Sequence, residues 1–378
     1  MPTDTSPLLA YALRGLRRCW QPGLGRWSHK FHLDGRSEPN ESVPPSDLYY
    51  SMNCLLGFAR VPRRAEALPD WAGLFDRIAL AMLGEQVRNR VWGMTLWAGA
   101  ELDRAIPGPV WDRVRGILDA PAQIAAWTAQ DAGLLLSGLS RQLSRDPGLR
   151  PAARGLRDLV LARFKGPRTL FFDAAHGPRR EFASFATQVY SALALYHFGE
   201  AEHDDEALAA ANDCLATLIR LQGPRGEWPW FYLARADRVI DFYEVYSVHQ
   251  HGMAPAILHH AIAHGVPDAR AAMQRGFDWL FGANEMGVSM LRPDLSLIYR
   301  SQARAGWRGR RAARAAMAPL AAVTGLGGGL AGGQALRLTP EMRSYEFGWV
   351  LWSWGGRPDW PGITHRPEFA TERLSDAA

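Results

Sequence analysis

The chain has 378 residues, 47% of them hydrophobic, enough to bury a large core in one or two domains. Its formal charge of +5 is almost all arginine, with lysine only at Lys30 and Lys165. It is spread along the chain without a recognition motif, which argues against nucleic-acid binding. Cys19, Cys54 and Cys214 are an odd, scattered set that excludes a disulfide framework and a CxxC-type zinc site, and neither a metal nor a cofactor is expected.

The N-terminus, MPTDTSPLLAYALRGLRRCW, lacks the basic and apolar regions of a secretory signal, and no run approaches 18 apolar residues. A cytoplasmic protein without a transmembrane segment is expected, with peripheral membrane contact left open. Leu9, Leu13, Leu16 and Trp20 fall at helical spacing, and QPGLGRW ends that helix. A polar loop from Ser37 to Ser46 follows, and a second helix is predicted from Asp47 as its N-cap. Further helices are predicted over 70–83, 86–104, 108–118, 121–143 and 150–164, punctuated by Pro107–Pro109 and Asp146–Gly148. LFFDAAHG reads as a short extended piece. Helical spacing resumes at Phe185, Val189, Leu193 and Tyr196, and the next helix is capped by Asp204 or Asp205.

The central stretch, Leu215 to His264, crowds aromatics, carboxylates and histidines between two helical segments. A helix follows through Met273, Phe277 and Leu280. A hairpin is predicted over 288–301 with Pro293–Asp294 at its turn, then an Arg/Ala-rich and Gly-rich region over 305–335. The last helix is predicted from Pro340 to Trp354, with a loosely ordered tail over 355–378. No stretch has linker composition, so a single domain over 1–378 is expected. GLGGGLAGG lacks the βαβ context of a dinucleotide site and reads as a loop. Arg300, Arg304, Arg308 and Arg311 would line one face of a helix, solvated or binding an anion.

Two segments share Q-x-x-x-G-x-W: Gln21 to Trp27 and Gln222 to Trp228. The glycine permits a turn, the Gln amide can bond helix-end carbonyls, and the Trp ring covers the junction. This pattern resembles the QW motif of squalene and oxidosqualene cyclases, whose fold is a toroid of helical hairpins. That fold group also holds protein prenyltransferases, six-hairpin glycosidases, polysaccharide lyases and sugar epimerases. The central stretch and RSYEFGWVLWSW (Arg343 to Trp354) further resemble uncharacterised toroid proteins of bacterial polysaccharide gene clusters. The resemblance implies an all-α, α/α-toroid domain with small β-hairpin insertions.

Pro255 suits the first turn of a helix, which places His249, Gln250 and His251 at or just before its N-terminus, where the dipole favours neutral histidines and bound anions. His249 with Tyr246, Glu244 and Glu346 makes a candidate acid/base set, with Gln250 and His251 expected to bind substrate, or else these residues form a hydrogen-bonded helix junction. Trp228, Trp230 and Tyr232 form a candidate aromatic platform; Asp241, Tyr243, Arg343 and Tyr345 complete the expected binding surface. A pair of carboxylates would suit glycoside hydrolysis.

Three functions follow. The first is a carbohydrate-active enzyme, hydrolase, lyase or epimerase, in which toroid relatives imply Tyr246 and His249 as proton carriers. The second is a terpenoid cyclase or prenyltransferase-like enzyme on an isoprenoid, which lacks a DxDD acid and a zinc set. The third is a non-catalytic toroid that binds glycans or serves as a scaffold for partner proteins in polysaccharide assembly.

Overall fold

A computed structural model describes residues 5–38, 46–68, 70–177, 179–304 and 335–370. Among them twelve helices have ten or more residues. They are α1 (Pro7–Cys19), α2 (Ser46–Phe58), α3 (Trp71–Ala81), α4 (Arg90–Leu102), α5 (Gly108–Leu118), α6 (Ala129–Gln142), α7 (Arg150–Leu159), α8 (Phe185–Glu202), α9 (Asp205–Arg220), α10 (Ala254–Ala263), α11 (Ala269–Asp278) and α12 (Ser344–Trp354).

The even-numbered helices are apolar on nearly every face and form an inner ring: α2 packs on α4, α4 on α6, α6 on α8, α8 on α10, α10 on α12 and α12 back on α2. The outer helices return the chain between them, α3 against α2, α7 against α6 and α8, α9 against α8, α11 against α10, and α1 against α12. Each buries one stripe, as α3 does with Leu74, Phe75, Ile78 and Ala79. This is an α/α toroid, with all inner helices beginning at one end.

Glycine sets the closeness of that ring. A Cβ on Gly57 would stand 2.4 Å from the Gly348 carbonyl oxygen, and one on Gly138 the same distance from that of Gly93. At these points α2 meets α12, and α4 meets α6, backbone to backbone.

Short strands decorate the end where the inner helices begin. They are β1 (Trp20–Gln21) with β2 (Arg26–Trp27); β3 (Lys30–His32) between β4 (Ser37–Glu38) and β13 (Glu341–Met342); and β6 (Phe231–Leu233) between β5 (Phe182–Ser184) and β7 (Arg238–Asp241). The rest are β9 (Leu291–Arg292) with β10 (Leu297–Ile298), and β11 (Ser301–Arg304) between β8 (Val245–Tyr246) and β12 (Leu336–Leu338). Every pairing is antiparallel.

Several boundaries depart from expectation. Asp47 lies inside the first turn of α2, where its carboxylate takes a bond from Arg26 at 2.9 Å. The helix expected over 121–143 splits, with a single turn at Pro121–Ile124 before Thr128 caps α6. LFFDAAHG contributes isolated bridges at Phe171 and Ala174 and no named strand. The last helix starts at Ser344, because Glu341 and Met342 are taken up by pairing with His32 and Phe31. Arg304 lies on strand β11, not a helix face; Arg308, Arg311 and the Gly-rich stretch lie outside the described residues. The segment after Gly355, expected to be loose, packs down as far as Ala370: Ile363 and Phe369 are buried, and the Phe369 carbonyl accepts from Arg14 at 3.1 Å.

Both repeat motifs are turns. Gly25 and Gly226 take positive φ, 59° and 91°, and Trp27 Nε1 donates to the Leu16 carbonyl of the preceding helix, α1, at 3.1 Å. Gln222 Nε2 donates to Gly226 and to Ala272 on α11, at 2.9 and 3.0 Å, tying one hairpin to the next. Among the described residues no helix is long and apolar enough to cross a membrane.

Candidate functional site

The starts of the inner helices, with β8 and the chain beside β11, converge on one linked group of side chains. Tyr246, at the end of β8, is its centre. The Tyr246 ring lies 4.0 Å from that of Trp230 and 5.4 Å from His249, and the Arg300 guanidinium sits 4.8 Å over its face. Pairing of β8 with β11, Tyr246 opposite Ser301, puts Arg300 there. The Tyr246 hydroxyl donates to the Glu244 carboxylate.

From Arg300 the group continues around the ring. Arg300 pairs with Glu346 at 3.3 Å and with Glu341 at 3.6 Å. Burial would lower the Arg300 pKa, but the surrounding Tyr345, Glu346 and Tyr246 hold it above its usual value. Arg343 reaches Glu341 at 2.8 Å and lies against both ring nitrogens of His29, at 2.9 and 3.1 Å. His29 stacks on Tyr50 at 5.3 Å and Tyr50 on Tyr345 at 4.4 Å. Beyond them the Tyr49 and Tyr190 hydroxyls are 3.2 Å apart, and Arg90 pairs with Asp131 at 3.3 Å. His29, Tyr50, Arg90, Trp230, Glu244, Arg300, Arg343 and Tyr345 are all only partly buried, so they line an accessible surface.

The expected residues divide. Tyr246, His249, Glu244, Trp230, Arg343 and Tyr345 belong to this group. Glu346 lies beneath it, 1% exposed, as the N3 carboxylate of a capping box: Oε1 accepts from the Arg343 backbone N–H at 3.1 Å. Burial raises its pKa to about 7 despite Arg300. Its Oε2 has no hydrogen-bond partner among the described residues, and His251 Nε2, also without one, is 3.9 Å away.

Trp228 and Tyr232 are core, 1% and 0% exposed, with Trp228 stacked 5.5 Å from Phe185. Trp230, which immediately precedes β6, is only partly buried and turns its ring to Tyr246 instead. Gln250 is structural as well: with its amide nitrogen toward Gly226 it donates at 3.1 Å and accepts from the Trp228 N–H at 3.2 Å. The Asp241 side chain lies outside the described residues. Tyr243 sits one step further out, 5.0 Å from the Arg304 guanidinium.

Pro255 does fall in the first turn of α10, but His249–Met253 already form a π turn ahead of it, so His251 lies inside a continuous helix and is wholly buried. Burial, with Arg300 and His251 nearby, lowers the His249 pKa to about 3; burial does the same for His251. Desolvation, not an exposed helix end, therefore keeps His249 neutral. Of the later histidines, His259 is core, while His260 and His264 share Glu200 at 2.7 and 3.0 Å; no metal-holding cluster occurs among the described residues.

His29, Tyr49, Tyr50, Arg90, Asp131 and Tyr190 were not foreseen. Tyr49–Tyr50 opening a helix was the available signal; nothing local marks the others.

No family model matches the chain, and no curated protein does. Among solved structures, an unsaturated glucuronyl hydrolase specific for heparin is similar at a TM-score of 0.53 and 12% identity, over 95% of this chain and 98% of that one. A polysaccharide lyase gives 0.54 and 9%, over 92% and 95%. A possible member of the GH105 family from Salmonella enterica gives 0.53 and 13%, over 92% and 91%. At such identities the likeness is one of fold, and it agrees with the ring of hairpins described above.

Proposed function

We propose that this chain is a carbohydrate-active enzyme that works on a poly- or oligosaccharide by acid/base chemistry. The carrying observation is the Tyr246 group: a hydroxyl held on a carboxylate, with a neutral histidine, an indole face and a partly buried guanidinium gathered around its ring. The names of the similar toroids, a glucuronyl hydrolase and a polysaccharide lyase, support the substrate class.

Proton abstraction beside a sugar carboxylate is the reaction this set suits best. In this reading Trp230 carries a sugar ring on its face, and Arg300 and Arg343 neutralise the carboxylate, which acidifies the adjacent C–H. His249 takes that proton directly, or Tyr246 takes it as its own hydroxyl proton passes to Glu244. The electron pair forms the C=C bond and expels the glycosidic oxygen, which takes a proton from the Tyr246 hydroxyl. Glu346 is a positioning residue for Arg300. An isoprenoid site would call for an almost wholly aromatic lining, whereas this one carries arginine, glutamate, tyrosine and histidine.

The test is turnover of uronate-containing oligosaccharides followed by mass spectrometry. Fragments whose masses sum to that of the parent mean elimination. Fragments that gain one water mean hydrolysis, which would move the bond-breaking role to a pair of carboxylates. Tyr246→Phe should remove turnover; unimpaired turnover in that variant would sink the assignment.

A further inference from the structure

A hollow of about 550 Å³ opens beside the candidate site, between the end of α9, the turn at Gly223 and the hairpin of β6 and β7. Its floor is apolar, with Leu233 and Val239 from the hairpin, and its rim carries Arg168, Arg220 and Arg238, all three exposed. Among the described residues none of the three has an ion pair, although nearby Arg235 and Arg180 are both engaged by Glu181, at 2.8 and 3.9 Å. The carboxylate in the lining, Asp237, is 6% exposed and already used: Oδ2 accepts from Thr169 Oγ1 at 2.9 Å and Oδ1 from the Leu170 N–H at 3.3 Å. The charge presented to solvent is therefore positive.

We infer that this hollow is an outer binding site for an anionic glycan, holding carboxylate-, sulfate- or phosphate-bearing sugars while another part of the same polymer occupies the Tyr246 site. Three like charges around one depression repel each other unless an anion intervenes, and an apolar floor between them fits the C–H faces of sugar rings. Position supports it. Trp230, in the Tyr246 group, immediately precedes β6, and Leu233 on the hollow's floor ends it, about 10 Å away along an extended strand. A chain leaving the mouth across this hairpin meets the arginines next.

The inference rests on the glycan reading, yet it can be tested separately by binding. In native gels containing polygalacturonate, heparin or dextran, the protein should be retarded by at least one acidic polymer and not by dextran. The triple variant Arg168→Gln, Arg220→Gln, Arg238→Gln should keep its melting temperature. Three exposed charge contacts worth about twofold each multiply to about tenfold, which is the expected loss of affinity. KM for polymer should rise by a similar factor while turnover of a disaccharide stays unchanged. Equal affinity of variant and wild type, no retardation by either acidic polymer, or equal retardation by single-stranded DNA would overturn the site. Retardation that depends on the arginines, without turnover of any glycan, would keep this site and remove the enzymatic reading.

Discussion

Replacing Glu346 by glutamine perturbs a carboxylate that is 1% exposed and whose pKa is raised by burial to about 7 from an ordinary 4.5. The folded protein keeps this proton up to about pH 7, whereas the unfolded chain releases it near pH 4.5. Between those values the folded state binds more protons, so the stability this group contributes is complete below pH 4.5 and is lost as pH rises through 7. A difference of 2.5 units (7 − 4.5) is about 3 kcal/mol at 1.36 kcal/mol per unit. Glutamine keeps an oxygen for the Arg343 N–H and never ionises. Urea unfolding of wild type and Glu346→Gln at pH 5 and pH 8, an interval that holds most of this change, should therefore show the variant gaining about 2.5 kcal/mol relative to wild type between the two. Comparing the two proteins cancels the histidines, which titrate in both. A stability difference that is constant with pH, or that moves the other way, would refute the burial argument. The same variant, with Arg300 less firmly held, should bind acidic substrate more weakly.

Other expectations follow from single contacts. Tyr246→Phe keeps the ring between Trp230 and Arg300, so thermal unfolding should shift by about 1 kcal/mol or less, while turnover falls about 100-fold or more. Gly57→Ala puts a methyl 2.4 Å from the Gly348 carbonyl oxygen and should cost about 1–3 kcal/mol by forcing α2 from α12; unchanged denaturant midpoints would contradict that approach. His29, His249, His251 and His259 are each held neutral by burial, to about pKa 3. The unfolded chain protonates them near 6.5, so the stability they contribute is present above that pH and lost as pH falls toward 3; melting temperatures across that range should drop steeply. Arg90→Met leaves Asp131 without its ion pair and should destabilise by about 3 kcal/mol, measured by chemical unfolding.

Much of the ring was legible because it is written in local periodicity. Inner helices such as α8 are apolar all round and outer ones such as α3 are apolar on a stripe, and the glycine and Trp of each repeat motif mark where one hairpin hands over to the next. That Tyr246 and His249 lie side by side was legible, because they are three residues apart at the start of an apolar helix. What the sequence hides is pairing at long range. Arg300 reaches Tyr246 only through the register of β8 with β11, and His29 meets Arg343 across 314 positions of chain. Trp228 and Trp230 look alike in sequence, and only the fold sets one in the core against Phe185 and the other against Tyr246. Glu346 read as a catalytic carboxylate from its neighbours, but the capping box of α12 turns it under the floor.

The most direct test is a time course of the purified protein on uronate-containing and neutral oligosaccharides, analysed by mass spectrometry beside Tyr246→Phe. The account predicts cleavage of an acidic substrate into fragments that together weigh the same as the parent, abolished in the variant. Cleavage only of neutral glycans, or full activity in Tyr246→Phe, would contradict it.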